Sequence, residues 1–230
     1  MIATVFTPDG IAISAPGFET FYQRMSPDED DMRIERIDIE GHQRTFTFWD
    51  RYVMVIHRLD QYIYDDSIAE VIEHIGDRWP DTAPPISEVM PYVKKAIVDN
   101  NLNIIGVMAG YSRDDASGRL MPYVYQINGD DIRRINIDGN GKINYNFAVV
   151  EQSTSLGRIM RDVKVKNGET WETLPPLYLR CDLFSVDKAV ELTRFLVSTA
   201  IYLDQVNSTN DRTDKVDTVI ITPHRITFNQ

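Results

Sequence analysis

The chain of 230 residues and 26.5 kDa carries 24 Lys and Arg against 35 Asp and Glu, a formal net charge of −11 that argues against binding nucleic acid through its phosphates. Hydrophobic residues at 43% can fill the core of one domain over residues 1–230, but no apolar run approaches the ~18–20 residues of a membrane-spanning helix. A lone Cys181 excludes an internal disulfide, and the opening MIATVFTPDG lacks the basic flank and apolar core of a signal peptide, so a cytoplasmic protein without a membrane partner is expected.

In chain order, IATVF (2–6) and GIAISA (10–15) predict two short strands around Thr7, Pro8, Asp9 and Gly10, residue types that favour a tight turn. Residues 17–31 read as polar and irregular, with the acids Asp28, Glu29, Asp30 and Asp31 in a solvated loop. RIERIDIEG, RTFTFWD and YVMVIHR then read as strands, the last two joined by a hairpin at Trp49, Asp50 and Arg51. Residues 67–78 set Ile68, Val71, Ile72 and Ile75 on one helical face. Residues 86–99 repeat that logic after Pro84 and Pro85, where Pro91 predicts a kink or a helix that starts late.

From Asn101 the apolar period falls to two, and LNIIGVMAGY, RLMPYVYQI, DIRRINID and KINYNFAVV predict four strands joined by turns rich in Gly, Asn and Asp. Residues 153–163 return to a helical pattern, and KNGETWETLPPLYLRCDLF is irregular. Residues 185–207 then place Ala189, Leu192, Leu196, Ala200 and Leu203 at helical spacing, with Val190, Phe195, Val197 and Ile201 widening the stripe. Ser185 suits the cap of this helix and Asp187 the positive end of its dipole. KVDTVIITPHRITF closes the chain as a hairpin turning at Pro223 and His224. Strands, two helices, strands, two helices and strands together fit an α+β fold, a four-layer αββα sandwich of two antiparallel sheets. The helices at 67–78 and 86–99 would cover one side and those at 153–163 and 185–207 the other.

Motifs of common chemistry are missing: no GxGxxG, P-loop or GxSxG occurs, and no cofactor is expected. Residues 136–143 imitate a calcium loop, but Phe147 stands where its bidentate glutamate belongs, so a strand turn is expected instead. His42, His57, His74 and His224 are scattered without the spacing of metal ligands, and no metal site is expected. Cys181 has no cationic neighbour in sequence to lower its pKa and reads as an inert thiol.

The helix beginning Ser185-Val186-Asp187-Lys188-Ala189 resembles the one in proteasome-type β-subunits that reads SVEEA and ends in an RDxxSG turn, followed there too by a hairpin. Asp204 falls on that motif's aspartate, while the arginine is Leu203 here, the serine falls on Asn207 or slips to Ser208, and no glycine follows. Asp9-Gly10-Ile11-Ala12-Ile13 resembles the family's GGVVIA strand, and VMAGYSRDDASGRLMPYVYQI (107–127) is similar to its AGYD…GPxLYxID stretch. Glu151-Gln152-Ser153-Thr154-Ser155 occupies the place of its GSGS turn without the glycines. The resemblance covers most of the chain and implies the fold of the N-terminal-nucleophile hydrolase superfamily, as a divergent member.

It also implies a mechanism that this chain departs from. The family's hydroxyl nucleophile is a threonine at the mature first residue, with the α-amino group as base. Counting back from Gly10 places that threonine just before Met1 and the next residue on Met1 itself. The family's strand-end aspartate is Pro16 here, and the first lysine in the chain is Lys94. Arg36 or Arg44 can hold a positive charge in the missing lysine's place, but an arginine does not relay protons. Asp204 then reads as a carboxylate binding local backbone at a helix end.

The expectation is a proteasome β-like subunit that has lost threonine peptidase chemistry and acts as an assembly or binding component, in a homo-oligomer or ring of like subunits. The alternative is an active N-terminal-nucleophile peptidase or amidohydrolase with Thr4 exposed by processing and Asp204 and Ser153 shaping its site. Phe195, Ile201 and Tyr202 are expected to need a cover beyond the sheet, from a neighbouring subunit or from the insertion at 166–184.

Overall fold

The computed structural model describes residues 1–24, 34–40, 45–58, 70, 71, 74, 75, 77–79, 82–114, 117–150, 164–167, 170–173, 179–206 and 215–229. The opening strands β1 (Ile2–Phe6) and β2 (Ile11–Pro16) pair across a turn closed by Thr7, whose N–H donates to the Gly10 carbonyl at 2.9 Å. The Thr7 hydroxyl oxygen accepts from the Asp9 and Gly10 N–H groups at 3.3 and 3.2 Å, as a threonine at a turn is suited to do. β10 (Asn146–Val150) flanks β1, while β13 (Val216–Ile221) and β14 (Ile226–Asn229) continue from β2, so the first antiparallel sheet has the order β10-β1-β2-β13-β14.

The second sheet is a meander of β5 (Thr45–Phe48), β6 (Tyr52–Arg58), β7 (Ile104–Arg113), β8 (Leu120–Asn128) and β9 (Asp131–Arg134). Its first hairpin turns at Trp49 and Asp50, both at φ 52°, with the Arg51 N–H donating to the Phe48 carbonyl at 3.0 Å. The left-handed backbone at Trp49 is held by ring contacts to Phe48, Tyr52 and Trp79 at centroid distances of 5.8, 6.0 and 5.9 Å. In β7 the glycine of the Ala-Gly-Tyr motif is required by close approach, since a Cβ on Gly110 would lie 2.3 Å from the Arg51 carbonyl oxygen.

The two sheets share a core. Ile2, Phe6, Ile11, Ile13, Val219 and Ile221 of the first pack with Val53, Val55, Val107, Val124 and Tyr111 of the second. Helix α1 (Ile86–Asp99) lays Ile86, Val89, Val93 and Ile97 against Met54, Ile56, Ile104 and Met108 on the other face of the second sheet. Helix α2 (Val186–Val206) lays Leu196, Val197, Ala200 and Ile201 on the first sheet, over Met1, Ala3 and Val216. Strands covered on both faces need not alternate, which is why β1, β2 and most of β7 are continuously buried. The start of α1 is fixed by its own sheet: the Ile86 N–H donates to Ser112 Oγ at 3.2 Å, and Tyr52 donates its hydroxyl to the Pro84 carbonyl at 2.7 Å.

Several expectations are corrected. The stretch after Gly17 holds β3 (Phe18–Arg24), which pairs with β4 (Ile34–Glu40), because its aromatic residues favour extended backbone more than its charges oppose it. The region after residue 163 contains a hairpin of β11 (Lys164–Asn167) and β12 (Thr170–Thr173) rather than irregular chain. Helix α1 starts at Ile86 and runs through Pro91 instead of starting there. The last of the four predicted strands, β10, is a strand as expected and pairs with β1 in the first sheet, apart from β7, β8 and β9. Ile201 is 3% exposed and faces the sheet, whereas Phe195 and Tyr202 point away from it at 65% and 63% exposure.

Residues 70, 71, 74, 75 and 77 are helical, and Ile75 joins the cluster beneath α1. The predicted helix at 153–163 lies outside the described residues. Among the described residues no helix is long and apolar enough to cross a membrane.

Candidate functional site

The end of the first sheet that the resemblance marks for catalysis is built from the start of β1, the end of β2 and the last turns of α2. Along β1 the side chains alternate. Met1, Ala3 and Val5 face α2, so Ile2, Thr4 and Phe6 face the second sheet. Met1 is 9% exposed and packs with Leu196, Val197, Ala200 and Ile201. The register that pairs Ala3 with Ser14 brings Pro16 level with Met1, and Pro16 also pairs with Val216 on its other side. Where the family has an aspartate beside its nucleophile, this sheet therefore has a side chain with no acid to offer.

Thr4 is fully buried at the middle of β1, paired with Ile13 on one side and Ala148 on the other, and its Oγ1 has no hydrogen-bond partner. Asp204 falls on the last turn of α2, with its side chain outside the described residues. Its neighbour Leu203 packs on the Met1 cluster, so the structure brings the backbone at Asp204 and Met1 to one end of the sheet and leaves Thr4 inside it. Ser153 and Arg44 lie outside the described residues, and Arg36 falls on β4 without a described side chain. Lys215 places a cation at this end that no motif in the sequence marks. The Gly17 N–H donates to the Lys215 carbonyl at 2.9 Å, and a Cβ on Gly17 would sit 2.8 Å from Lys215 Cγ. Lys215 is exposed and enters β13, two strands from β1, or about 10 Å at the usual strand spacing.

The chain matches no family model and no curated protein. Among solved structures it is similar to a mutant of Anbu from Hyphomicrobium sp. strain MC1, at a TM-score of 0.59 and 12% identity over 100% of this chain and 85% of that one. Anbu is a bacterial proteasome-like protein of the N-terminal-nucleophile superfamily. At this identity the likeness is one of fold.

Beneath α2 the structure holds a hydroxyl chain that the sequence reading missed. Ser14 Oγ donates to Thr193 Oγ1 at 2.8 Å, Thr193 Oγ1 donates to the Val190 carbonyl at 3.0 Å, and Thr218 Oγ1 lies 2.9 Å from Ser14 Oγ. With those donors assigned, the Thr218 hydroxyl donates to Ser14, and every proton is used. All three residues are buried. The chain ends on a carbonyl and contains no base, so it pins β2 and β13 to α2 without activating a nucleophile.

In the segment that imitates a calcium loop, Asp138 and Asn136 spend their side-chain oxygens on protein donors. Asp138 Oδ1 accepts from the Asn140 and Lys142 N–H groups at 2.8 and 2.9 Å, and Ile137 bridges to Ile143. The buried Asn136 accepts from the Val124 N–H at 3.1 Å and from Arg134 Nε at 3.0 Å, and donates to the Pro122 carbonyl at 2.8 Å. Among the described residues no group of three or more His, Cys, Asp or Glu is placed to hold a metal. Cys181 is buried, and burial followed by the nearby Asp182 carboxylate pushes its thiol up, the opposite of what a nucleophile needs. Asp182 is itself held by Arg180 through two hydrogen bonds of 2.9 and 2.8 Å.

Proposed function

We propose that the chain is a proteasome β-like subunit, one domain over residues 1–230 in the four-layer αββα arrangement, that has lost threonine peptidase chemistry and serves as an assembly or binding component among like subunits. Pro16 carries this reading. It stands level with Met1 at the aspartate's place and offers no carboxylate to hold a lysine, and residues 1–93 contain no lysine to be held. Catalytic groups that act as a unit lose most of their rate with one member.

Assembly is supported by the outer face of α2. Phe195, Tyr202 and Val206 are 65%, 63% and 66% exposed and share with Ser198 a stripe turned away from the sheet. Among the described residues, Leu179, Cys181 and Phe184 reach only the first half of the helix, near Ala189, Val190 and Leu192. A contact of like subunits on this stripe buries on the order of 1,200 Å² or more if it is stable.

The second reading, a peptidase or amidohydrolase using Thr4 after processing, has the unpartnered Thr4 hydroxyl in its favour. It requires the loss of Met1, Ile2 and Ala3, three buried residues of which two are paired into the sheet. Fluorogenic peptides and a covalent threonine-directed inhibitor separate the readings. The purified protein is expected to give neither turnover nor adduct, and turnover abolished by Thr4→Ala reverses the proposal.

A further inference from the structure

At the end of the sandwich away from Met1, three turns and one strand end meet. Because Ile11 pairs with both Phe6 and Ile221, the 7–10 turn and the 222–225 turn lie side by side there. The 222–225 turn, the Trp49–Arg51 turn, the end of β7 and the start of β8 border a cavity of about 450 Å³, within the usual size of small-molecule sites. Its charged wall runs against the net charge of the protein: Arg51, Arg113 and Arg225 line it, with His224 beside them and Asp50 as the one carboxylate. None of the three arginines forms an ion pair among the described residues, and all are exposed, so their guanidinium groups are available. Arg113 is steadied by donating to the Gly118 carbonyl at 3.2 Å.

Tyr111 supplies an independent sign of a binding site. It lines the same cavity from the inter-sheet core and is 5% exposed, yet its phenol oxygen has no hydrogen-bond partner. A buried O–H without an acceptor destabilises the fold unless a water or a ligand in the cavity completes it. Burial, with smaller contributions from Tyr145 and Asp9, pushes the phenol up to about 12, so at neutral pH it is a proton donor. Tyr111 and the three arginines of this wall thus offer protons to an acceptor, against Asp50 alone.

We propose that this cavity binds a small phosphate-bearing anion, clamped by Arg51, Arg113 and Arg225 and completed by a hydrogen bond from the buried Tyr111 hydroxyl. Guanidinium forks match phosphate oxygens in pairs, and three of them against Asp50 suit a ligand carrying more than one negative charge. The half-buried Trp49, fixed by donating its Nε1–H to the Trp79 carbonyl at 2.7 Å, offers an apolar wall to the organic part of a phosphate ester. The proposal is independent of the lost peptidase chemistry, since no group at the Met1 end takes part in it.

The test is isothermal titration of the full chain at low ionic strength with pyrophosphate, adenosine monophosphate and, as a carboxylate control, citrate. Saturable binding of a phosphate compound is expected, with citrate at least tenfold weaker as an order-of-magnitude margin. Preference for the nucleotide marks an organic phosphate as the ligand, and preference for pyrophosphate an inorganic one. Tyr111→Phe should weaken binding about tenfold, the size of one hydrogen bond to a charged group. Arg113→Gln with Arg225→Gln should weaken it about tenfold or more and flatten its dependence on salt. Both arginines are exposed, so circular dichroism should show this double variant folded. Absence of saturable binding by either phosphate compound overturns the proposal, as does binding that the folded double variant retains at full affinity.

Discussion

Replacing Thr4 by valine exchanges a hydroxyl for a methyl group of nearly the same size at a fully buried position in the middle of β1. The two side chains usually differ because the hydroxyl is hydrogen-bonded, but Thr4 Oγ1 has no partner. Leaving a buried hydroxyl unsatisfied costs about 1–3 kcal/mol, and the added methyl contributes a few tenths more among Ile2, Ile13 and Ala148. Thr4→Val is therefore expected to stabilise the protein by about 1–2 kcal/mol. In a domain of this size that raises the thermal midpoint by about 3–6 °C, at an unchanged urea m-value. Thr4→Ala removes the same oxygen but leaves a cavity, and should gain nothing. Calorimetry and urea unfolding of the three proteins read the difference. A loss of 1 kcal/mol or more on Thr4→Val would show that the hydroxyl has a partner in solution and would refute the reading of Thr4 as an orphan within the sheet.

Thr193→Val should destabilise by about 1–3 kcal/mol in the same assays, because it leaves one of the two protons of the buried Ser14–Thr218 pair without an acceptor; a neutral result would dissolve the hydroxyl chain. Cys181 should resist a disulfide reagent at pH 8 in the folded protein and react at once in denaturant. Its raised pKa leaves less thiolate than a free thiol at that pH, and its burial blocks access; immediate labelling of the native protein would contradict both. If sedimentation velocity finds species larger than 26.5 kDa, Phe195→Glu or Tyr202→Glu should split them without unfolding the subunit, while Ile201→Glu should unfold it. A single species of subunit mass at all concentrations would retire the assembly reading.

What the sequence shows in advance follows from how local each signal is. Helix α2 was legible because its apolar residues repeat at helical spacing, and the turns at Thr7–Gly10 and Pro223–His224 because a few residue types at fixed offsets specify them. The partner of a strand is not local. KINYNFAVV reads as a strand wherever it lies, and nothing in its period reveals that β10 crosses to pair with β1. Phe195 and Ile201 both widen the apolar stripe, yet Ile201 faces the sheet and Phe195 solvent, a distinction set by the rotation of α2 on its supports.

The candidate sites divide in the same way. Pro16 could be placed against Met1 by counting along one hairpin. Ser14, Thr193 and Thr218 meet only through the packing of a helix on two strands, and Arg51, Arg113 and Arg225 only through the meeting of three hairpins.

The first sheet also dictates a schedule. Its central hairpin, β1 and β2, is made long before its two neighbours, which come from residues 146–150 and 216–221. Until those segments emerge, both strands present open, apolar edges of the kind that pair with other chains. At roughly 5–20 residues per second, the edge of β2 waits on the order of ten seconds or more for β13. A chain cut short before residue 216 would keep that edge open for good, so a protein that loses its final hairpin should collect in aggregates instead of accumulating as a weakened fold.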